Sequence, residues 1–408
     1  MMMIKRIRLA VFALALSAAP VLAVAAEKTG LRPEVGQPLQ QAQAALQSKN
    51  YADAKAKIDQ AEAIGKLTPY EQYIVNRLRA SASLGLGDYK AALAAYESVL
   101  ASPELPAAEK PATLDSYVKL AYTSKDYAKT VTAIQQYQLA GGDNRETLGL
   151  LAQSQYLAGQ YKEAAQTLEA DIATAEKAGQ KPTDTQLQLL ASCALKQNDM
   201  PAYLHALEKI VTYTPKKEYW LDLVVRTSNK AGFSPGLGLD VYRLRKATGT
   251  LEDSSDYMDA SQLALQSGFP AEAKQFIDQG YETKALGQGE DASRHQRLKD
   301  LVTKRIADDR ATLAEGEKAA AAQATGDALI ATGYNLVSYG QTEKGLKLME
   351  QGIAKAGLKK PDQSKLLLAY AYQLSGNTDR AQKAFEDVGG QDGSRDLARL
   401  WLIRARSK

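Results

Sequence analysis

The sequence predicts an all-α solenoid built from antiparallel helix hairpins. Three observations carry that expectation. A turn signature of Gly, Asn or Asp followed by an aromatic or apolar residue recurs at near-constant spacing. A small residue stands at a fixed offset after most copies. The composition, rich in Ala with only 13 Pro in 408 residues, favours helix. A chain of this length exceeds one compact core, so it forms several domains or one extended array.

The first copies align on Lys49-Asn50-Tyr51, Gly87-Asp88-Tyr89, Lys125-Asp126-Tyr127, Gly159-Gln160-Tyr161 and Asn198-Asp199-Met200. Their third residues lie 38, 38, 34 and 39 positions apart. Three positions on stand Ala54, Ala92, Thr130 and Ala164, and four further on stand Ile58, Tyr96, Ile134 and Leu168. Nine positions before each anchor stand Ala42, Ala80, Val118, Ala152 and Ala191. Gly, Asn and Asp tolerate the left-handed region and cap the next helix, so each signature reads as a helix-to-helix turn. The small residues let paired helices approach, and the larger residue fills toward the next hairpin. The anchor Tyr is expected to wedge between the two helices. Each hairpin leaves an apolar face that only a neighbour covers.

Two further turns are expected at Gly232-Phe233-Ser234 and Gly268-Phe269-Pro270. From Pro270 to Thr342 there is room for one more unit, and residues 284–325 read as a degenerate charged one. There Leu298, Leu301, Val302 and Ile306 form a narrow apolar stripe. The chain closes on SRDLARLWLIRARSK, whose Leu397, Leu400, Trp401 and Ile403 give a helix with one apolar side, suited to capping an array.

The repeat resembles the tetratricopeptide repeat (TPR) family, and most closely at Ala80, Gly87, Asp88, Tyr89, Ala92, Tyr96 and Pro103. Later copies are marked by Gly333, Gly340, Gly345 and Met349, then by Ala369, Gly376, Ala381, Phe385 and Val388. The pattern departs where an aromatic is expected early in a first helix and Asn76 stands instead. The resemblance implies a right-handed α-solenoid of about nine or ten hairpins, a TPR-like superhelix. It places TPR-like hairpins over 27–283 and 326–408, with the degenerate unit between them. It also implies a non-catalytic scaffold for protein–protein interaction. The stretch TPYEQYIVNRLRASASLGLGDYKAALAAYESVLASPELP is similar to TPR components of energy-coupled (TonB) envelope transport systems. TPR clamps for a C-terminal carboxylate need Lys and Asn on successive first helices. Leu39, Gln43 and Leu78 occupy such positions here, so that recognition is not implied.

The first residues carry a different signal. MMMIKRIR is basic, LAVFALALSAAPVL is an apolar run too short for a comfortable span, and small residues follow at Ala23–Ala26. That pattern is a secretory signal peptide over 1–26, which predicts export to a periplasm. The net charge of +4, with acids and bases interspersed, gives no case for nucleic acid. No later run is long and apolar enough for an integral membrane segment.

The chemistry-bearing residues are few. Cys193 sits in the apolar LLASCAL and is expected to be a buried structural thiol. The two histidines, His205 and His295, lie in no motif; the first is expected to pack or face solvent and the second to be solvated. GLGLGD and GFSPGLGLD lack a phosphate-loop lysine and follow no strand. No nucleophile elbow, zinc motif or CxxC is present, so neither an enzyme nor a metal or cofactor is expected.

In TPR geometry the first helix of each unit lines the concave face. The resemblance therefore puts Arg77, Ser81, Lys119, Tyr122, Gln153 and Tyr156 on that face, followed by Gln188, Tyr334, Tyr370 and Gln373. The expected ligand is a protein partner in the cell envelope, laid along the groove. Tyrosine plates on the same face also suit a glycan, such as an exported polysaccharide.

Overall fold

The computed structural model describes residues 30–407, and the leader read in the sequence lies outside them. The described residues hold 21 α-helices, two short 3-10 turns and no strand, and successive helices pair as hairpins. The chain packs as two compact bodies that divide between Ala173 and Thr174.

In the first body α1 (Pro33–Gln47) pairs with α2 (Tyr51–Ala63), α3 (Pro69–Gly85) with α4 (Tyr89–Ala101), and α5 (Lys110–Thr123) with α6 (Tyr127–Leu139). The short α7 (Arg145–Leu148) and α8 (Leu151–Leu157) share the first-helix place before α9 (Tyr161–Lys177), in which the division falls.

The second body continues with α10 (Asp184–Lys196) paired with α11 (Met200–Tyr213), then α12 (Lys217–Ser228) and α13 (Gly238–Ala247). Next come α14 (Ser254–Gln266) with α15 (Pro270–Glu282), and the 31-residue α16 (Ala292–Ala322). The last hairpins are α17 (Asp327–Ser338) with α18 (Thr342–Ala354) and α19 (Pro361–Leu374) with α20 (Thr378–Glu386), closed by α21 (Ser394–Arg406). Residues 284–325 thus fold around one long helix, without a hairpin partner of their own.

The turn chemistry explains the repeat. Lys49, Gly87, Lys125, Gly159 and Asn198 take positive φ, between 55° and 82°. The next N–H then reaches back five residues: Asn50 to the Ala45 carbonyl at 2.8 Å, Asp88 to Ser83 at 2.9 Å, and Asp126 to Ala121 at 3.0 Å. Gln160 and Asp199 close the same way. This is the Schellman ending of a helix. The same residue opens the next helix with its side chain, since Asp88, Asp126 and Asp199 accept the N–H of Ala91, Lys129 and Ala202 at 3.0–3.1 Å. One Asp therefore stops one helix and starts another.

Packing follows the repeat too. Ala54, Ala92, Thr130 and Ala164 are fully buried, as are Ile58 and Ile134. A larger side chain at Ala92 would overpack the hairpin at a cost of about 1–3 kcal/mol.

The anchor tyrosines correct the sequence reading in one place. Tyr51 packs toward the next hairpin: its ring fills the space where a Cβ on Gly85 would stand, at the end of α3. Tyr89 does not, and is 42% exposed. The position equivalent to Gly85 in the following hairpin is Thr123.

In the second body, α17 and α18 approach backbone to backbone. A Cβ on Gly333 would meet the Gly345 carbonyl oxygen at 2.6 Å, so only glycine fits there. The last helix does more than cap its neighbours α19 and α20. It also packs on α11 and α13, far earlier in the chain. Arg399 pairs with Glu208 at 2.7 Å and Asp396 with Lys230 at 3.1 Å. Arg404 Nε donates to the Ala247 carbonyl at 2.8 Å, and the Ser234 N–H to the Asp392 carbonyl at 2.8 Å. The beginning and end of this body are thereby joined, which makes it a closed unit.

Candidate interaction surface

The first-helix positions chosen from the sequence fall into two groups. In the first body they remain at the surface or half-buried. Arg77 on α3 donates to the Tyr73 hydroxyl at 3.0 Å and pairs with Glu109 at 3.0 Å. Ser81 lies one turn on and leans on the Arg77 carbonyl at 3.4 Å. Lys119 on α5 pairs with Asp115 at 2.7 Å, and Asp115 also accepts from Asn144 and Thr147. The charges of this face are thus largely answered within it, and what it offers outward is chiefly aromatic and amide.

Tyr122 and Tyr156 each meet the next anchor tyrosine edge to face, at 5.9 Å to Tyr127 and 5.3 Å to Tyr161. These paired rings are half-buried and held rigid, a low-entropy contact surface. Burial pushes the Tyr122 hydroxyl above its ordinary pKa, so it stays a neutral donor. Gln153 is half-buried between them in sequence.

In the second body the outcome differs. Gln188 is exposed and donates to the Tyr219 hydroxyl at 3.0 Å, and Gln373 is half-buried. Tyr334 and Tyr370, expected to face a groove, are in the core at 0% and 5% exposure. They do line a recess, but the chain fills it. The Arg243 guanidinium of α13 lies over the Tyr334, Tyr370 and Phe269 rings at 4.9, 5.1 and 5.7 Å. Glu272 and Asp240 clamp the same guanidinium at 2.7 and 2.6 Å. Trp401 of α21 then covers Tyr370 at 5.4 Å.

Sequence reasoning missed Arg243, Glu272 and Asp240. Nothing in YRLRK or PAEAK separates a buried charge from a solvated helix face. Burial raises the Asp240 carboxyl above its ordinary range, against the pull of Arg243. It missed a second feature as well, an open groove of about 530 Å³ between α4, α5 and α6. Leu100, Tyr117, Ala133 and Leu139 line it, and Leu139 is 89% exposed. Glu97 at its edge accepts from both Tyr117 and Lys129 at 2.8 Å.

Cys193 is buried and its thiol is pushed up to about 11 by desolvation, which suppresses the nucleophilic thiolate. His295 is not solvated as expected: it is 3% exposed, and its Nδ1 accepts the Gly287 N–H at 3.2 Å, closing the turn before α16. His205 is exposed on α11. Among the described residues no three His, Cys, Asp or Glu stand together in a way that could hold a metal ion. No helix among them is long and apolar enough to cross a membrane.

No family model matches the chain, and no curated protein matches it. Solved structures give distant overlaps. With yeast Tom70 the identity is 12% and the TM-score 0.25, over 91% of this chain and 95% of that one. With the P58(IPK) TPR domain they are 15% and 0.25, over 92% and 99%. With a monomeric IFIT1 mutant bound to capped RNA they are 15% and 0.20, over 89% and 80%. Overlaps this loose do not fix a common superhelix. The hairpin architecture of this chain rests on its own caps, turns and buried small residues.

Proposed function

We propose that the chain is a non-catalytic scaffold that holds an extended segment of a partner protein on the first-helix face of its first body. One observation favours this body over the other. The two tyrosines of the second body, Tyr334 and Tyr370, are covered by Arg243 and α21 of the same chain, whereas Tyr122, Gln153 and Tyr156 of the first body stay half-exposed at the surface. Rigid aromatic pairs flanked by amides suit a peptide laid along several hairpins.

The leader-like residues 1–26 support a place of work in the cell envelope. The resemblance of residues 68–106 to TPR components of TonB-linked systems supports a partner among envelope transport machines. A photo-activatable residue at Tyr122 or Gln153 tests the proposal in envelope extract of the source cells. The expected product is a discrete protein adduct, absent when the residue is placed at Gln373. Recovery of glycan without protein, or equal labelling from both positions, overturns it.

A further inference from the structure

The long helix α16 has a face that nothing in the chain uses. It is 31 residues, about 46 Å at the helical rise, yet only His295, Leu298, Val302 and Ala320 are buried along it. Its inward cations are occupied by rings, Lys299 over Tyr281 at 4.3 Å and Arg310 over Tyr339 at 4.9 Å. Its inward acids are bonded too, Asp309 to the Tyr339 hydroxyl at 2.7 Å and Glu317 to Lys344 at 2.6 Å.

The outward stripe is different. Arg297, Leu301, Lys304, Asp308, Ala311 and Glu315 are all exposed, and they recur at alternating steps of four and three residues. That spacing keeps them on one side of the helix. Among the described residues none of the four charges meets an opposite charge. The stripe is basic in its first half and acidic in its second. Turned end for end about the level of Ile306, it matches itself: 297 faces 315, 304 faces 308, and 301 faces 311. Each Arg or Lys then meets a carboxylate, and each Leu301 meets the small Ala311.

We propose that this stripe is a self-complementary docking surface, on which α16 of a second copy lies antiparallel in a two-fold dimer. An isologous pairing of this kind makes every contact twice, giving four ion pairs and two Leu–Ala contacts. Exposed ion pairs are individually weak and screened by salt, so the dimer is a low-affinity, salt-sensitive one.

Sedimentation of the full chain at about 100 μM, where association of micromolar strength is populated, tests the proposal. In about 25 mM salt the mass is expected near twice the monomer, and in about 0.5 M salt it falls to the monomer, as screening shortens the reach of the charges. K304D is expected to abolish the dimer at low salt. The double variant K304D/D308K keeps the wild-type net charge and is expected to restore it, because each new Asp faces a new Lys across the axis. Circular dichroism confirms that each variant keeps its helix content. A monomer at low salt, a dimer that survives K304D, or a double variant that fails to recover would each overturn the proposal.

Discussion

Arg243 and Glu272 form a two-pronged ion pair in the core of the second body. Nε meets Oε1 at 2.8 Å and Nη2 meets Oε2 at 2.7 Å, with both side chains 3% exposed. Three aromatic rings, Phe269, Tyr334 and Tyr370, lie against the guanidinium. Glu272→Ala is expected to destabilise the chain by about 3 kcal/mol, the lower end of the cost of breaking a buried pair, because Asp240 still faces the guanidinium. Denaturant unfolding of the full chain measures it, and a loss below that of an ordinary surface substitution would contradict the geometry.

The first body has an acid-sensitive tie at its start. Glu71 on α3 accepts from the Arg32 side chain at 2.9 Å and from the Thr68 N–H at 2.8 Å. The Arg32 bond is the main reason its carboxyl is held down to about 2. A carboxyl whose folded value is depressed adds stability above its unfolded value, and that share is lost as pH falls toward the folded one. Thermal stability is expected to drop between roughly pH 4.3, the unfolded value for Glu, and pH 2 more steeply in the wild type than in Glu71→Gln. Melting curves across that window check it.

Lys125 holds φ at 62°, a region that costs an L-residue with a Cβ roughly 1–2 kcal/mol. Gly87 and Gly159 fill the equivalent turns without that strain. Lys125→Gly is expected to be neutral to stabilising, by up to about 1 kcal/mol once the entropy of the more flexible unfolded chain is set against it. Lys125→Val is expected to lose stability. Paired melts of the two variants decide it.

Tyr96 and Tyr89 sit seven residues apart on α4 and should behave oppositely. Tyr96 is 6% exposed and packs at 6.4 Å on Tyr117, so Tyr96→Ala should cost about 3–5 kcal/mol. Tyr89 is 42% exposed, and its replacement by Ala should cost about 1 kcal/mol or less. Equal losses would show that the hairpin packs on Tyr89 after all.

These contrasts mark what the sequence made legible. Hairpin turns are local, because the left-handed residue and the capping Asp are adjacent in the chain. Their recurrence exposed both the helices and the buried Ala54, Ala92 and Ala164. Tyr51 packs where Gly85 stands, 34 residues on, and the equivalent position for the exposed Tyr89 holds Thr123. Arg243 was further out of reach. Its partners come from α15, α17 and α19, and a lone Arg on a helix reads as solvated until tertiary structure closes over it. The same closure moved Tyr334 and Tyr370 from an expected groove into the core, while His295 is buried by its local bond to the Gly287 N–H.

Tyr334 and Tyr370 of the second body are covered by the chain itself, whereas Tyr122 and Tyr156 of the first body stay half-exposed at the surface. Hydroxyl-radical footprinting with mass spectrometry reads this on the unmodified chain, tyrosine by tyrosine. Ready oxidation of Tyr89, Tyr122 and Tyr156 is expected, with protection of Tyr334 and Tyr370 until the protein is unfolded. Oxidation of Tyr334 and Tyr370 in the folded chain at the rate of Tyr122 would contradict it.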